Sequence, residues 1–345
     1  MLIALLGLAV LVGAFFIWLR SEPEQVTECE PGYRLFEHTE GATCVPEDAS
    51  KVLTYSTAAS QFYVAIDHPM AMTVEVLDHY TAADIPGLYD RLRDVNEDTL
   101  DLGRVDGGVA QNVELLLQIQ PDVIISEWVV GDLTKTASVV APVVLLTDLG
   151  TWKEVTLMSG DLIGERDTAV ALLEAYEQRV QTLRDQFDNP AEITVSHVRL
   201  YHERPSIQLP ISFAGQIIND VGFSFPPAQL ELIEDSPEQL EIDFSDERID
   251  LADGDFIFIY PGFTDYIFSD ILSDLETESD ELTDEFRNDP LYPFLNAAQE
   301  GTVYDVDIHW SMTGIYSAHY VLDDLFRYVA GVDPEVVSPN PLRLE

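Results

Sequence analysis

The chain has 345 residues, room for one large or two medium domains, and its 46% hydrophobic and 10% aromatic content excludes wholesale disorder. Its 63 acidic residues against 17 basic ones leave a net charge of −46, with lysine only at Lys51, Lys135 and Lys153. Without a basic stripe for phosphates, nucleic acid is largely excluded as a partner; the carboxylates read as a solvated acidic shell that also suits high salt, where screening reduces self-repulsion.

Leu2 to Leu19 is apolar without a break, and at about 1.5 Å per residue it is long enough to cross a bilayer as a helix. The rival reading is a cleaved signal peptide, but no cationic region precedes Leu2 and no small-x-small site precedes Arg20. Arg20 on the far side argues weakly for a cytoplasmic body, although a long following domain can translocate regardless. Cys29 and Cys44 decide for the outside: they lie close together among turn formers, where a disulfide would close a short loop and persist only beyond the reducing cytosol. Free thiols are the alternative reading, and a zinc site lacks companion ligands. Val26-Thr27-Glu28 lacks the small residues of a lipoprotein processing site, which speaks against a lipid anchor.

From Lys51 onward, β-branched and aromatic runs alternate with helical patterns, as in a parallel sheet with crossover helices. Strands are expected at Val52–Ser56, Met70–Leu77, Val123–Ser126 and Val143–Leu146, making a first lobe. Ala169, Leu172, Leu173, Tyr176, Val180, Leu183 and Phe187 recur at steps of three and four, so a long helix with one apolar face follows, stopped by Asn189-Pro190. Strands at Ile193–Tyr201, Asp255–Tyr260 and Thr302–Val306 make a second lobe, and Asp274 to Asp289 reads as a solvated helix or loop. The expected division is therefore 1–20 membrane anchor or signal segment, 21–50 extension, 51–153 first α/β lobe, 154–189 linker helix, 190–335 second α/β lobe and 336–345 tail. Two Rossmann-like lobes joined by one long helix leave a cleft, a favoured place for a ligand.

Several stretches resemble the iron-siderophore solute-binding family of ABC importers, the periplasmic-binding-protein class (class III) whose lobes are joined by a rigid helix. These are Gly41-Ala-Thr-Cys44-Val45-Pro46 with Lys51-Val52-Leu53, then Asn112-Val-Glu114-Leu-Leu-Leu-Gln-Ile-Gln-Pro121-Asp122-Val-Ile-Ile125, and Gly160-Asp-Leu-Ile-Gly164. In the second lobe they are Ser212-Phe213-Ala-Gly215-Gln-Ile-Ile-Asn-Asp-Val-Gly222 and Trp310 with Tyr316-Ser-Ala318 and Leu322-Asp-Asp-Leu325. The order and spacing carry the resemblance, over roughly residues 29–330. It implies an extracytoplasmic, membrane-anchored, monomeric binding protein with no intrinsic cofactor, which takes a ferric siderophore and hands it to an ABC permease. Cobalamin or haem is the nearest rival cargo, and an anchored extracellular hydrolase is the reading from another class. The family's cleaved signal or lipid-bearing cysteine is not evident here.

Ligands of open α/β sheets meet loops at the carboxyl ends of strands. The candidates there are Thr57, Ser60, Tyr80, Arg104 and Trp128 in the first lobe and His202, Arg204, Tyr260, Tyr266 and Trp310 in the second. A ferric chelate, often anionic and rimmed by flat groups, wants guanidinium forks and aromatic faces. Arg204 is equally readable as a surface residue, and Trp128 and Trp310 as core. Arg199, inside a strand pattern, is expected to pair with a surface carboxylate. No metal is expected to be held directly: His68, His79, His202 and His309 show no paired ligand spacing. Gly103-Arg-Val-Asp-Gly-Gly108 lacks the lysine and hydroxyl of a Walker loop, and neither a Ser-x-Gly elbow nor a His-Glu-x-x-His helix occurs.

Overall fold

Short buried runs of valine, isoleucine and leucine build two separate sheets, with paired helices between them. The computed structural model describes residues 27–39, 41–71, 88, 91, 113–127, 136–146, 151–201, 204–235, 238–261 and 275–343. Leu2–Leu19, the Gly103–Gly108 loop and the outer part of the strand expected to reach Leu77 lie outside them. Among the described residues no helix is long and apolar enough to cross a membrane.

The chain enters through an antiparallel hairpin, β1 (Tyr33–His38) and β2 (Gly41–Pro46). Cys29 and Cys44 form a disulfide across it, with Cα atoms 5.6 Å apart. The hairpin leans on the first sheet: the hydroxyls of Thr39 and Thr43 donate to the carbonyls of Leu145 (2.9 Å) and Val143 (3.2 Å).

That sheet is fully parallel, with β3 (Val52–Tyr55), β4 (Met70–Ala71), β5 (Val123–Ser126) and β6 (Val143–Leu145) in the order β4-β3-β5-β6. Helix α1 (Thr57–Ala65) follows β3, and α2 (Val113–Ile119) precedes β5. The start of β5 is held to that of β3 by the Asp122 carboxylate, which accepts from the backbone N–H of Ser50 and Lys51 at 3.0 and 2.8 Å.

Two helices, not one, connect the sheets. Thr151 and Glu154 form a reciprocal capping box that starts α3 (Trp152–Ile163), and Gly164 at φ 78° ends it in the left-handed conformation that glycine adopts without strain. The chain then restarts as α4 (Arg166–Arg184). A methyl group on Gly160 would come within 2.8 Å of the Ala169 Cβ, so this corner closes only around a bare backbone. The expected apolar stripe does face the core, through Ala169, Tyr176, Val180 and Leu183.

The second sheet runs β11-β10-β7-β8-β9: β7 (Val195–Leu200), β10 (Phe256–Pro261) and β11 (Val303–Asp305) are parallel, whereas β8 (Ser206–Gln208) and β9 (Glu241–Asp243) are antiparallel additions. This departs from an all-parallel lobe for a simple reason: the link from Leu200 to Ser206 is too short for a crossover helix, so β8 must double back. Helices α5 (Phe213–Val221), α6 (Pro227–Asp235), α7 (Leu275–Asn288), α8 (Asn296–Glu300), α9 (Ile315–Asp324) and α10 (Pro334–Val337) complete the lobe. The acid-rich stretch is thus a helix.

Side chains alternate across both sheets. Val52, Val123 and Ile125 of the first and Val195, Phe258 and Tyr260 of the second share one inner core with α3, α4, α5 and α9. Leu53 and Ile124 face an outer core on the far side of the first sheet, and Val198, Leu200, Ile257 and Ile259 face another beyond the second. Polar links reinforce the inner layer. Buried Arg179 of α4 ion-pairs with Asp323 of α9 and donates to the Ser338 carbonyl at 3.0 Å, and Lys153 of α3 meets Asp220 of α5 at 2.8 Å. The lobes also touch directly. Gln61 of α1, wholly buried, accepts from the Ser317 N–H of α9 at 3.0 Å and donates to its hydroxyl at 2.9 Å, capping a helix whose own N-cap is Gly314.

Candidate ligand site

In the first sheet, β3 ends at Tyr55 and Ser56 caps α1, accepting from the Ala59 N–H at 2.9 Å. The same hydroxyl donates at 2.5 Å to Glu127, the first residue after β5. Burial pushes the Glu127 carboxyl above its ordinary range, with the Ser56 bond opposing. Thr57 is half-buried on the first turn of α1. Ser60 is wholly buried, its hydroxyl donating to the Ser56 carbonyl at 2.7 Å.

The second sheet presents a different surface. The parity that turns Val195 inward also turns His197, Arg199 and Tyr201 inward, and register places Tyr260 of β10 and Ser206 of β8 beside Arg199. The Arg199 guanidinium lies 4.8 Å from the Tyr201 ring centroid and 5.8 Å from that of Tyr260, a double cation–π contact. Its Nε is shielded from solvent and makes no hydrogen bond, and none of the ion pairs among the described residues involves it. Below it, His197 packs edge-on against Trp310 (5.2 Å), and Trp310 stacks on Phe258 (4.3 Å). Burial, helped by the charge of Arg199 and by His309, drives the His197 pKa down to about 3, so the imidazole stays neutral. Burial likewise raises the Tyr260 and Tyr201 phenols, which remain protonated.

Of the sequence candidates, the structure brings Tyr260 to this group and leaves Arg204 exposed on the link between β7 and β8. Trp310 is interior: it is 1% exposed and its indole N–H donates to Asp324 at 2.9 Å, which also accepts from or pairs with His309 at 2.8 Å. Tyr80, Arg104, Trp128, His202 and Tyr266 lie outside the described residues. Arg199 is the correction: it does not pair with a surface carboxylate but faces inward between two aromatic rings. The signal was available in the two-residue spacing from Val195, once that residue's face is known. Among the described residues His, Cys, Asp and Glu nowhere gather three or more to hold a metal.

A guanidinium fork flanked by aromatic faces suits recognition of a flat anionic group, and no nucleophile–base pair accompanies it among the described residues in this cluster. The family model for periplasmic binding proteins matches residues 83–308, and the chain belongs to that family. It is 26% identical over 245 residues to the protein named probable siderophore-binding lipoprotein YfiY of Bacillus subtilis, covering 70% of this chain and 72% of that one. Against the achromobactin-binding periplasmic protein of Dickeya dadantii the identity is 27% over 240 residues, covering 64% and 70% respectively. Among solved structures, SirA of Staphylococcus aureus in complex with staphyloferrin B superposes with a TM-score of 0.67 over 86% of this chain and 98% of that one; at 21% identity this establishes the fold alone.

Proposed function

We propose that this chain is the extracytoplasmic solute-binding component of an ABC importer, which captures a ferric siderophore between its lobes and delivers it to a permease. The observation that carries this is Arg199, held between Tyr201 and Tyr260 with no carboxylate among the described residues taking its fork, on the inner face near the carboxyl ends of β7 and β10. Family membership and the relatives named for siderophores and achromobactin support the cargo. The contact of α1 with α9, each following a strand of its own sheet, supports a cleft between residues 51–153 and 190–335. Thr57 and Glu127 form the first-lobe wall and Arg204 extends the site; Tyr80, Arg104, Trp128, His202 and Tyr266, outside the described residues, stay candidates from the sequence. The disulfide and the apolar run Leu2–Leu19 support an oxidising compartment and a membrane tether by helix. The chain acts as a binder, with iron held by the chelator.

Native mass spectrometry of the protein exposed to ferric catecholate, hydroxamate and carboxylate siderophores, cobalamin and haem tests this. One-to-one retention of a ferric siderophore is expected. Retention of none overturns the transport reading, and retention of cobalamin or haem alone replaces the cargo.

A further inference from the structure

Glu241 lies on β9, an edge strand added to the second sheet far along the chain from β7. Its carboxylate accepts from the Tyr201 hydroxyl at 3.1 Å, the Ser206 hydroxyl at 3.1 Å and the Gln208 side-chain amide at 2.6 Å. All three donors are neutral, and none of the ion pairs among the described residues includes Glu241. The Arg199 guanidinium rests on the ring of that same Tyr201, yet no ion pair joins it to Glu241. Here the Tyr201 ring stands between them: its hydroxyl end meets Glu241 and its face meets the Arg199 guanidinium.

The arrangement has two physical effects. The hydrogen bond fixes the ring, which otherwise swings about its side-chain torsions, and thereby fixes the surface on which the guanidinium rests. A phenol that donates to an anion also carries a more electron-rich ring, and a richer face attracts a cation more strongly. A direct ion pair would neutralise the arginine and occupy its fork. The interposed ring lends the arginine a counter-charge while leaving its N–H groups to a ligand.

We propose that Glu241 is a positioning residue for ligand recognition, acting through the Tyr201 ring to hold the Arg199 guanidinium in place with its fork unoccupied; this rests on the binding role proposed above.

The full chain labelled with 15N-arginine gives a readout that needs no ligand. The Nε–Hε resonance of Arg199, assigned by its disappearance in Arg199→Lys, is expected at a ring-shifted position. Glu241→Ala and Tyr201→Phe each move it toward that of free arginine, while Glu241→Gln, whose amide oxygen still accepts from the phenol, retains most of the shift. With a ferric siderophore that the wild type retains, Glu241→Ala weakens binding about tenfold, and the same change made in Tyr201→Phe weakens it no further. An unmoved Arg199 resonance in Glu241→Ala overturns the proposal, as does a loss of affinity that persists undiminished in Tyr201→Phe, which marks Glu241 as a direct ligand contact. If Glu241→Ala fails to fold, Glu241→Gln and Tyr201→Phe carry the same comparison. If the wild type retains no chelate, the transport reading fails while the resonance still decides the positioning role.

Discussion

At the carboxyl ends of the first sheet, Thr57 and Glu127 present a hydroxyl and a carboxyl held by buried Ser56, whereas the matching edge of the second sheet presents a guanidinium between two phenol rings, with a neutral histidine and a tryptophan stack beneath. Both edges are built on buried parallel strands with the same inward parity. The contrast teaches that the parallel scaffold is shared and the chemistry is local: in the proposed site the first lobe would orient a ligand by weak neutral bonds and the second would supply charge recognition.

The aromatic stack below Arg199 is the deepest part of that contrast, so removing it gives the largest effect. Trp310→Ala empties the space between His197 and Phe258 and leaves Asp324 short of a donor; a loss of about 3–5 kcal/mol is expected in urea unfolding, and a loss below about 1 kcal/mol would show the stack to be loosely packed. Next comes charge recognition. Arg199→Ala is expected to weaken ferric-siderophore binding by about 10- to 100-fold, the worth of charge-assisted bonds, against about 2- to 10-fold for Thr57→Ala, the worth of a neutral bond. Equal effects in titration would abolish the asymmetry between the lobes.

His197 adds a pH dependence to the second lobe. Its folded pKa of about 3 lies below the ordinary 6.5, so between these values the unfolded chain binds the extra proton. Its contribution to stability is complete above pH 6.5 and is lost as the pH falls toward 3, at about 1.4 kcal/mol per pH unit within that window. Because many carboxylates titrate in the same range, the measurement is the difference between wild type and His197→Phe, whose stability curve should be flatter there by that slope. Glu127 gives the smallest effect and the opposite sign. Its carboxyl is raised above 4.5 by burial, so ionisation at neutral pH costs the folded state. Glu127→Gln is therefore expected to raise the melting temperature at pH 7 by the equivalent of less than about 1 kcal/mol, since the group is half-buried, and to give no gain in acid. A gain that persisted below pH 4 would have another cause.

Seven strands of the two sheets were legible as apolar or β-branched runs, because a mostly buried parallel sheet demands them. The hairpin was not: Tyr33–His38 and Gly41–Pro46 are mostly half-exposed and sit among turn formers, so neither alternation nor hydrophobicity marks them. Three-residue β8 and β9 carry too few residues to show a period, and with them the sequence hid Gln208 and Glu241. Ser60 and Trp310 follow strands just as ligand contacts would, yet the helices they enter turn them into the interior. Arg199 was visible as a cation in a strand. Which rings lay beside it depended on β10, nearly sixty residues on, and on a sheet register that no local pattern reveals.

The Gln61 side chain completes the first turn of a helix that belongs to the other lobe, and Gly314 makes room for it where any side chain would collide. Separating the halves would strip that turn of its acceptor and leave an amide and a backbone N–H stranded together. Movement between the halves would thus be coupled to fraying at one helix end, through a residue one turn along α1 from Thr57 of the proposed first-lobe wall.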